Sequence, residues 1–187
     1  MAILYDNLGI AYFPVPKCAS TSLKYCFYEA NTGLVAKKQN LLKKIYIKMQ
    51  SFAGTNLQEL EGYERMAVVR DPVARLKSCY REKILRRYIN FENNPDGRTH
   101  YLRYHDGEEK KLKSCNLPEY PDFETFVEHL EEYRGISAKI ESHSRSLSYW
   151  LGSDPLFFDA IFDFSALPEL GEWLQSRGGG GAKTHHR

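Results

Sequence analysis

Phe13-Pro14-Val15-Pro16-Lys17-Cys18-Ala19-Ser20-Thr21-Ser22-Leu23-Lys24 sets a lysine and three hydroxyls at the junction of a strand and a helix. The run from Gly9 to Val15 is apolar and rich in β-branched and aromatic residues, which reads as a buried strand that Pro16 ends. From Ser20 the spacing turns helical, with Leu23, Phe27 and Ala30 on one stripe and the serines and threonine in an uncapped first turn. Backbone N–H groups and the positive end of the helix dipole converge there, so phosphate and sulfate are held well at such a point. Lys17 adds a full positive charge. The segment is not G-x-x-x-x-G-K-[ST], since it has no glycine and its lysine precedes the hydroxyls. That argues against an ordinary nucleotide hydrolase and against a P-loop kinase, which would also need magnesium ligands.

A second strand-to-helix step follows. Met66-Ala67-Val68-Val69 reads as a short apolar strand, and Arg70-Asp71-Pro72-Val73-Ala74-Arg75-Leu76-Lys77-Ser78-Cys79-Tyr80-Arg81 continues from it. Again a strand delivers a cation at its carboxyl end, and Pro72 opens a helix as proline at a first helical position does. The planar fork of Arg70 matches a phosphate, and the Ser78 hydroxyl can add a further bond from the helix.

Together the two motifs resemble the sulfotransferase superfamily that uses 3′-phosphoadenosine 5′-phosphosulfate (PAPS). Pro16 to Leu23 is similar to its P-K-x-G-[ST]-[ST]-[ST]-L loop, and Arg70-Asp71-Pro72 with Arg75, Ser78 and Tyr80 to its R-[DN]-P-x-x-R-x-x-S-x-[YF] element. The nearest branch is the carbohydrate type, family 2-like, whose loop often reads P-K-x-A-S-T or P-K-x-A-C-T. Weaker likeness runs through Asp122 to Val127, through His143-Ser144-Arg145-Ser146-Leu147, where Leu147 replaces a glutamine, and through Phe158 to Phe164. The resemblance implies an α/β, P-loop-containing nucleotide-hydrolase-like three-layer fold with a central, mainly parallel sheet flanked by helices. It also implies PAPS as cosubstrate, adenosine 3′,5′-bisphosphate (PAP) as product, a hydroxyl of a carbohydrate or related molecule as acceptor, and no metal.

Site roles follow from the same resemblance. Lys17 is expected at the leaving oxygen. Lys17, Cys18, Ala19, Ser20, Thr21 and Ser22 would cradle the 5′-phosphosulfate, while Arg70 and Ser78 would hold the 3′-phosphate. His143 is the first choice for the general base, because histidine titrates near neutral pH; His100, His105, Glu59 and Glu61 are alternatives. The competing reading is a catalytically silent PAP- or PAPS-binding module, kept open by Leu147, by the glycine-rich ending and by the lack of a P-x-x-N-x-S segment.

At 187 residues and 42% hydrophobic, the chain can bury one core of ordinary size, and one domain is expected over residues 1–176, with a flexible tail at 177–187. A formal charge of +2 gives no argument for nucleic acid. The lysines 37, 38, 43, 44 and 48 could steer an anionic polymer, but they equally suit the wet face of a helix at about 35–50 with Leu41, Leu42, Ile45 and Met49 inward. The four cysteines have no C-x-x-C spacing, so reduced thiols are expected; a low-pKa, redox-active Cys18 competes with a small residue that fits the turn. No apolar run reaches the roughly 18 residues that span a bilayer. A soluble, bacterial-type cytoplasmic enzyme is therefore expected, or a trimmed Golgi-lumen domain; oligomeric state is open. Further along, Asn90 to Pro121 reads as a long loop, 122–133 and 144–151 as helices, 158–163 as a strand and 166–176 as a helix.

Overall fold

The computed structural model describes residues 2–34, 52–86 and 106–178. Its strands are β1 (Ile3–Tyr5), β2 (Ile10–Phe13), β3 (Glu64–Val69) and β4 (Ala160–Asp163). Its helices are α1 (Ser20–Thr32), α2 (Pro72–Tyr80), α3 (Asp106–Ser114), α4 (Phe123–Glu128), α5 (Leu130–Ile136), α6 (Ala138–Ser144), α7 (Leu147–Leu151) and α8 (Leu167–Gly178). The expected α/β class holds, with helices flanking a mostly parallel sheet. The chain divides into two compact units, Met1–Arg70 with Ser146–Arg187, and Asp71–Arg145.

The first unit holds the sheet, in the order β1-β2-β3-β4. β1 runs antiparallel to β2 through a tight turn that Gly9 closes at φ 64. β2 pairs with β3 and β3 with β4 in parallel, with Phe13 opposite Ala67 and Val69 opposite Asp163. The carboxyl ends of three parallel strands therefore lie along one edge of the sheet, where open α/β sheets receive ligands. Every residue of β2 is buried, which explains its continuous apolar run. Tyr5 and Tyr12 each stack on Phe27 at 5.0 Å, fixing α1 to the strands. Arg65 at the start of β3 grips Asp159 through Nε at 2.8 Å and Nη2 at 2.9 Å. Its neighbour Glu64 accepts from Arg177 of α8 at 2.7 and 2.8 Å.

In this unit three sequence expectations change. β1 was not anticipated. Leu23 and Phe27 are buried, but Ala30 is exposed; a methyl contributes little burial, and the last turn of α1 is held by Asn31 instead, which accepts from the Asn7 backbone at 2.9 Å and from Asn7 Nδ2 at 2.6 Å. α8 also runs to Gly178, beyond the expected end.

The second unit packs its helices around Ile84, Leu112, Leu117, Phe126, Tyr133 and Ile140. Asp71 caps α2, its Oδ1 accepting from Ala74 N–H at 2.7 Å, and a single π-helical turn over Arg81–Leu85 extends that helix. Part of the long loop expected from Asn90 to Pro121 is α3, stabilised by burial of Leu112. The helix expected over 122–133 breaks at His129 (φ −107, ψ 28) into α4 and α5. The helix expected over 144–151 is preceded by α6, and α7 starts afresh at a Ser146 cap. The expected basic helix at 35–50 lies outside the described residues, as do His100, His105 and all of the tail beyond Gly178. Among the described residues no helix is long and apolar enough to cross a membrane.

Candidate functional site

In the first unit β2 hands over to α1 through six residues with unusual backbone. Cys18 N–H donates to the Val15 carbonyl at 3.3 Å, Lys17 sits at φ 69, and Ala19 sits at φ 55 and ψ 16. Two non-glycine residues in the left-handed region cost roughly 1–2 kcal/mol each. Left-handed residues turn successive N–H groups inward and make an anion-binding concavity. Ala19 is also the cap of α1, where serine or aspartate would normally accept from the first turn. Its methyl cannot accept, and the first turn contains no acidic residue. Hydroxyls follow directly at Ser20, Thr21 and Ser22, in the first turn of the helix. Ser20 is half-buried, and Thr21 and Ser22 are exposed. Cys18 is fully buried and all four cysteines are thiols, which favours the small-residue reading of Cys18 over a redox one.

Arg70 follows the last residue of β3 and reaches the same loop. Its Nη1 donates to the Lys17 carbonyl at 3.3 Å, and its guanidinium lies over the Phe164 ring, 4.5 Å from the centroid. The parallel register brings these residues together, since the ends of β2, β3 and β4 supply Lys17, Arg70 and Phe164. The residues of this loop and Arg70 carry ammonium, guanidinium, hydroxyl and amide donors, the kinds of group that suit a phosphosulfate. Phe164, which the sequence reading does not single out, comes beside Arg70 through the pairing of β3 with β4.

The second unit carries Ser78 and His143. Ser78 is half-buried on α2, one turn beyond Arg75. Arg75 is only 4% exposed, and its guanidinium donates to the carbonyls of His143, at 3.3 Å, and of Arg145. Arg134 of α5 takes the intervening residue, with Nη2 on the Ser144 carbonyl at 2.5 Å and Nε on its Oγ at 2.8 Å. Three consecutive carbonyls at the negative end of α6 are thus capped by two guanidinium groups, which satisfies orphan acceptors and the helix dipole together. His143 is half-buried in that last turn, with Nδ1 2.7 Å from the Lys139 carbonyl and 3.0 Å from Ser142 Oγ. A carbonyl only accepts, so Nδ1 carries the proton and Nε2 is the basic nitrogen of the neutral ring.

The alternative bases fare differently. Glu59 is exposed and accepts from Asn56 Nδ2 at 3.0 Å in a short 3-10 turn, and Glu61, also exposed, ends that turn. Tyr80 is half-buried against the core of the second unit: its hydroxyl donates to the Pro121 carbonyl at 3.0 Å and its ring meets Phe123 edge-on at 5.3 Å. Among the described residues no group of three or more His, Cys, Asp or Glu is gathered as a metal ion would require.

The Sulfotransferase family model matches residues 2–166. No curated protein and no solved structure matches significantly.

Proposed function

The chain belongs to the sulfotransferase family and is a PAPS-dependent sulfotransferase, and from this we propose that its acceptor is a carbohydrate hydroxyl and that Lys17, Arg70, Ser78 and His143 carry the reaction. The observation that supports this best is the joining of the two motifs through the bond from Arg70 to the Lys17 carbonyl, beside a helix start with no acidic residue. The family match spans all of the second compact unit and most of the first, which supports reading residues 1–176 as one functional domain. The carbohydrate acceptor rests on the likeness of Pro16 to Thr21 to the P-K-x-A-S-T loop of the carbohydrate branch.

When bound, PAPS supplies the sulfuryl group and leaves as PAP. Lys17 stabilises charge on the departing 5′-phosphate oxygen, and the amides from Cys18 to Ser22 with the Ser20, Thr21 and Ser22 hydroxyls hold that phosphate in line. Arg70 binds the 3′-phosphate; Ser78 is assigned to it by the family's arginine-to-serine spacing. His143, its Nδ1–H fixed on the Lys139 carbonyl, takes the acceptor proton at Nε2.

The test is calorimetric titration with PAP, followed by labelled-sulfate transfer from PAPS to a panel of glycans and of non-sugar alcohols. Binding together with transfer to a glycan is the expected result. Transfer only to non-sugar alcohols would overturn the acceptor assignment, and binding with no transfer to any acceptor would favour the silent module.

A further inference from the structure

We propose that Phe164 is a positioning residue for the nucleotide's 3′-phosphate, acting through Arg70; this rests on Arg70 being the ligand of that phosphate. Val69 pairs with Asp163, so Arg70 and Phe164 are the next residues along two neighbouring parallel strands. The guanidinium sits 4.5 Å above the ring centroid, inside cation–π range. Of its five donors one goes to the Lys17 carbonyl, and the ring covers a face of the guanidinium while accepting nothing in its plane. Among the described residues no other acceptor takes its in-plane donors, which leaves them for an anion.

Among the described residues no carboxylate lies within salt-bridge reach of Arg70. The acids next in sequence to Arg70 and to Phe164 are engaged elsewhere: Asp71 caps α2, and Asp163 accepts from Ser165 N–H at 2.8 Å and from its hydroxyl at 2.5 Å. An acidic partner would orient Arg70 but cancel its charge, whereas an aromatic face orients it and leaves the charge in place. A long arginine side chain otherwise loses its rotamer freedom only when the ligand arrives, which lowers affinity. Phe164 removes that loss beforehand. Its neighbours Phe162 and Leu167 pack against the core cluster, while Phe164 does not join it, so its ring is available to Arg70.

The experiment measures binding of PAP and of adenosine 5′-phosphate to the full chain and to Phe164→Met, Phe164→Leu and Phe164→Tyr, with melting temperatures recorded alongside. Methionine and leucine should weaken PAP roughly three- to tenfold while leaving adenosine 5′-phosphate unchanged, and tyrosine, which keeps the ring, should restore PAP binding to within about twofold of the parent. If the leucine variant does not fold, the methionine variant carries the same comparison. Equal losses for both nucleotides, or no rescue by tyrosine, would overturn the proposal. Arg70→Ala separates the two levels: if it too fails to distinguish PAP from adenosine 5′-phosphate, the reading of Arg70 falls, whereas selective loss in Arg70→Ala without selective loss at Phe164 removes the positioning role alone.

Discussion

Replacing Ala19 by glycine acts on a residue held at φ 55 and ψ 16, in a region where a Cβ crowds the following carbonyl. Relief of that strain is worth roughly 1–2 kcal/mol. Against it stands the greater freedom that glycine has in the unfolded chain, roughly 0.4–1 kcal/mol. Strain relief wins, so Ala19→Gly should stabilise the protein by about 0.5–1 kcal/mol and raise the melting temperature by about 1–4 °C for a chain of this size. The opposite sign is expected in ligand binding. A glycine hinge lets the cradle sample other shapes, and PAP affinity should fall about two- to fivefold. Ala19→Val is the control: a β-branched residue is an outlier in this region, and it should lower stability by more than about 1 kcal/mol. Calorimetric melting and PAP titration on all three proteins make the comparison. An Ala19→Gly protein that melts lower than its parent would refute the strain argument, and unchanged PAP affinity would refute the idea that the strained turn is preorganised for the anion.

Further outcomes follow from the same geometry. Lys17→Ala should reduce transfer by about a hundredfold or more, with stability within about 0.5 kcal/mol of the parent, because alanine accepts the φ 69 backbone no worse than lysine does; labelled-sulfate transfer and thermal melting check it, and full activity would remove Lys17 from the mechanism. Arg75→Met should cost about 2–4 kcal/mol by leaving the His143 and Arg145 carbonyls without their donor, read as a lower urea midpoint by far-UV circular dichroism. The Asp159 carboxyl lies below its ordinary value of 3.8 because Arg65 donates to it. Its contribution, about 1 kcal/mol for a half-exposed bidentate pair, is present above about pH 4 and lost as pH falls through the folded-state value. Asp159→Asn should therefore be less stable than its parent at pH 7 and converge with it in acid; a constant gap across that range would show that the ion pair is not the cause.

What could be read from the sequence was what is decided locally. Pro16 to Leu23 and Arg70 to Ser78 each combine strand, turn and helix start within a dozen residues, so the α/β class and the two strand-to-helix turns of the proposed cradle were visible. β1 was not, because Ile3-Leu4-Tyr5 is too short to show alternation and becomes a strand only by pairing with β2. α3 was hidden by its own composition: Gly107-Glu108-Glu109-Lys110-Lys111 looks like a loop, and its helix depends on burial of the single apolar residue Leu112. The break at His129 has neither glycine nor proline to announce it. Arg75 could be placed in a motif, but nothing in the spacing of arginines reveals that Arg75 and Arg134 share the three carbonyls at the end of α6. Arg70 over Phe164 is likewise a product of strand register, and register is a property of the folded sheet.

Because Asp71–Arg145 is a continuous segment set between the two parts of the sheet-bearing unit, the order of synthesis matters. β1, β2 and β3 emerge from the ribosome long before β4 and α8, so β3 has an unpaired edge while the whole second unit is being made. That unit has its own core and is complete in one stretch. Pairing of β3 with β4 closes a contact of large sequence separation, the kind that forms slowly. An open apolar strand edge during that interval invites pairing with another nascent chain. The sheet edge proposed to bind the nucleotide is thus finished last, and crowding during expression should damage it before it damages the helices of the second unit.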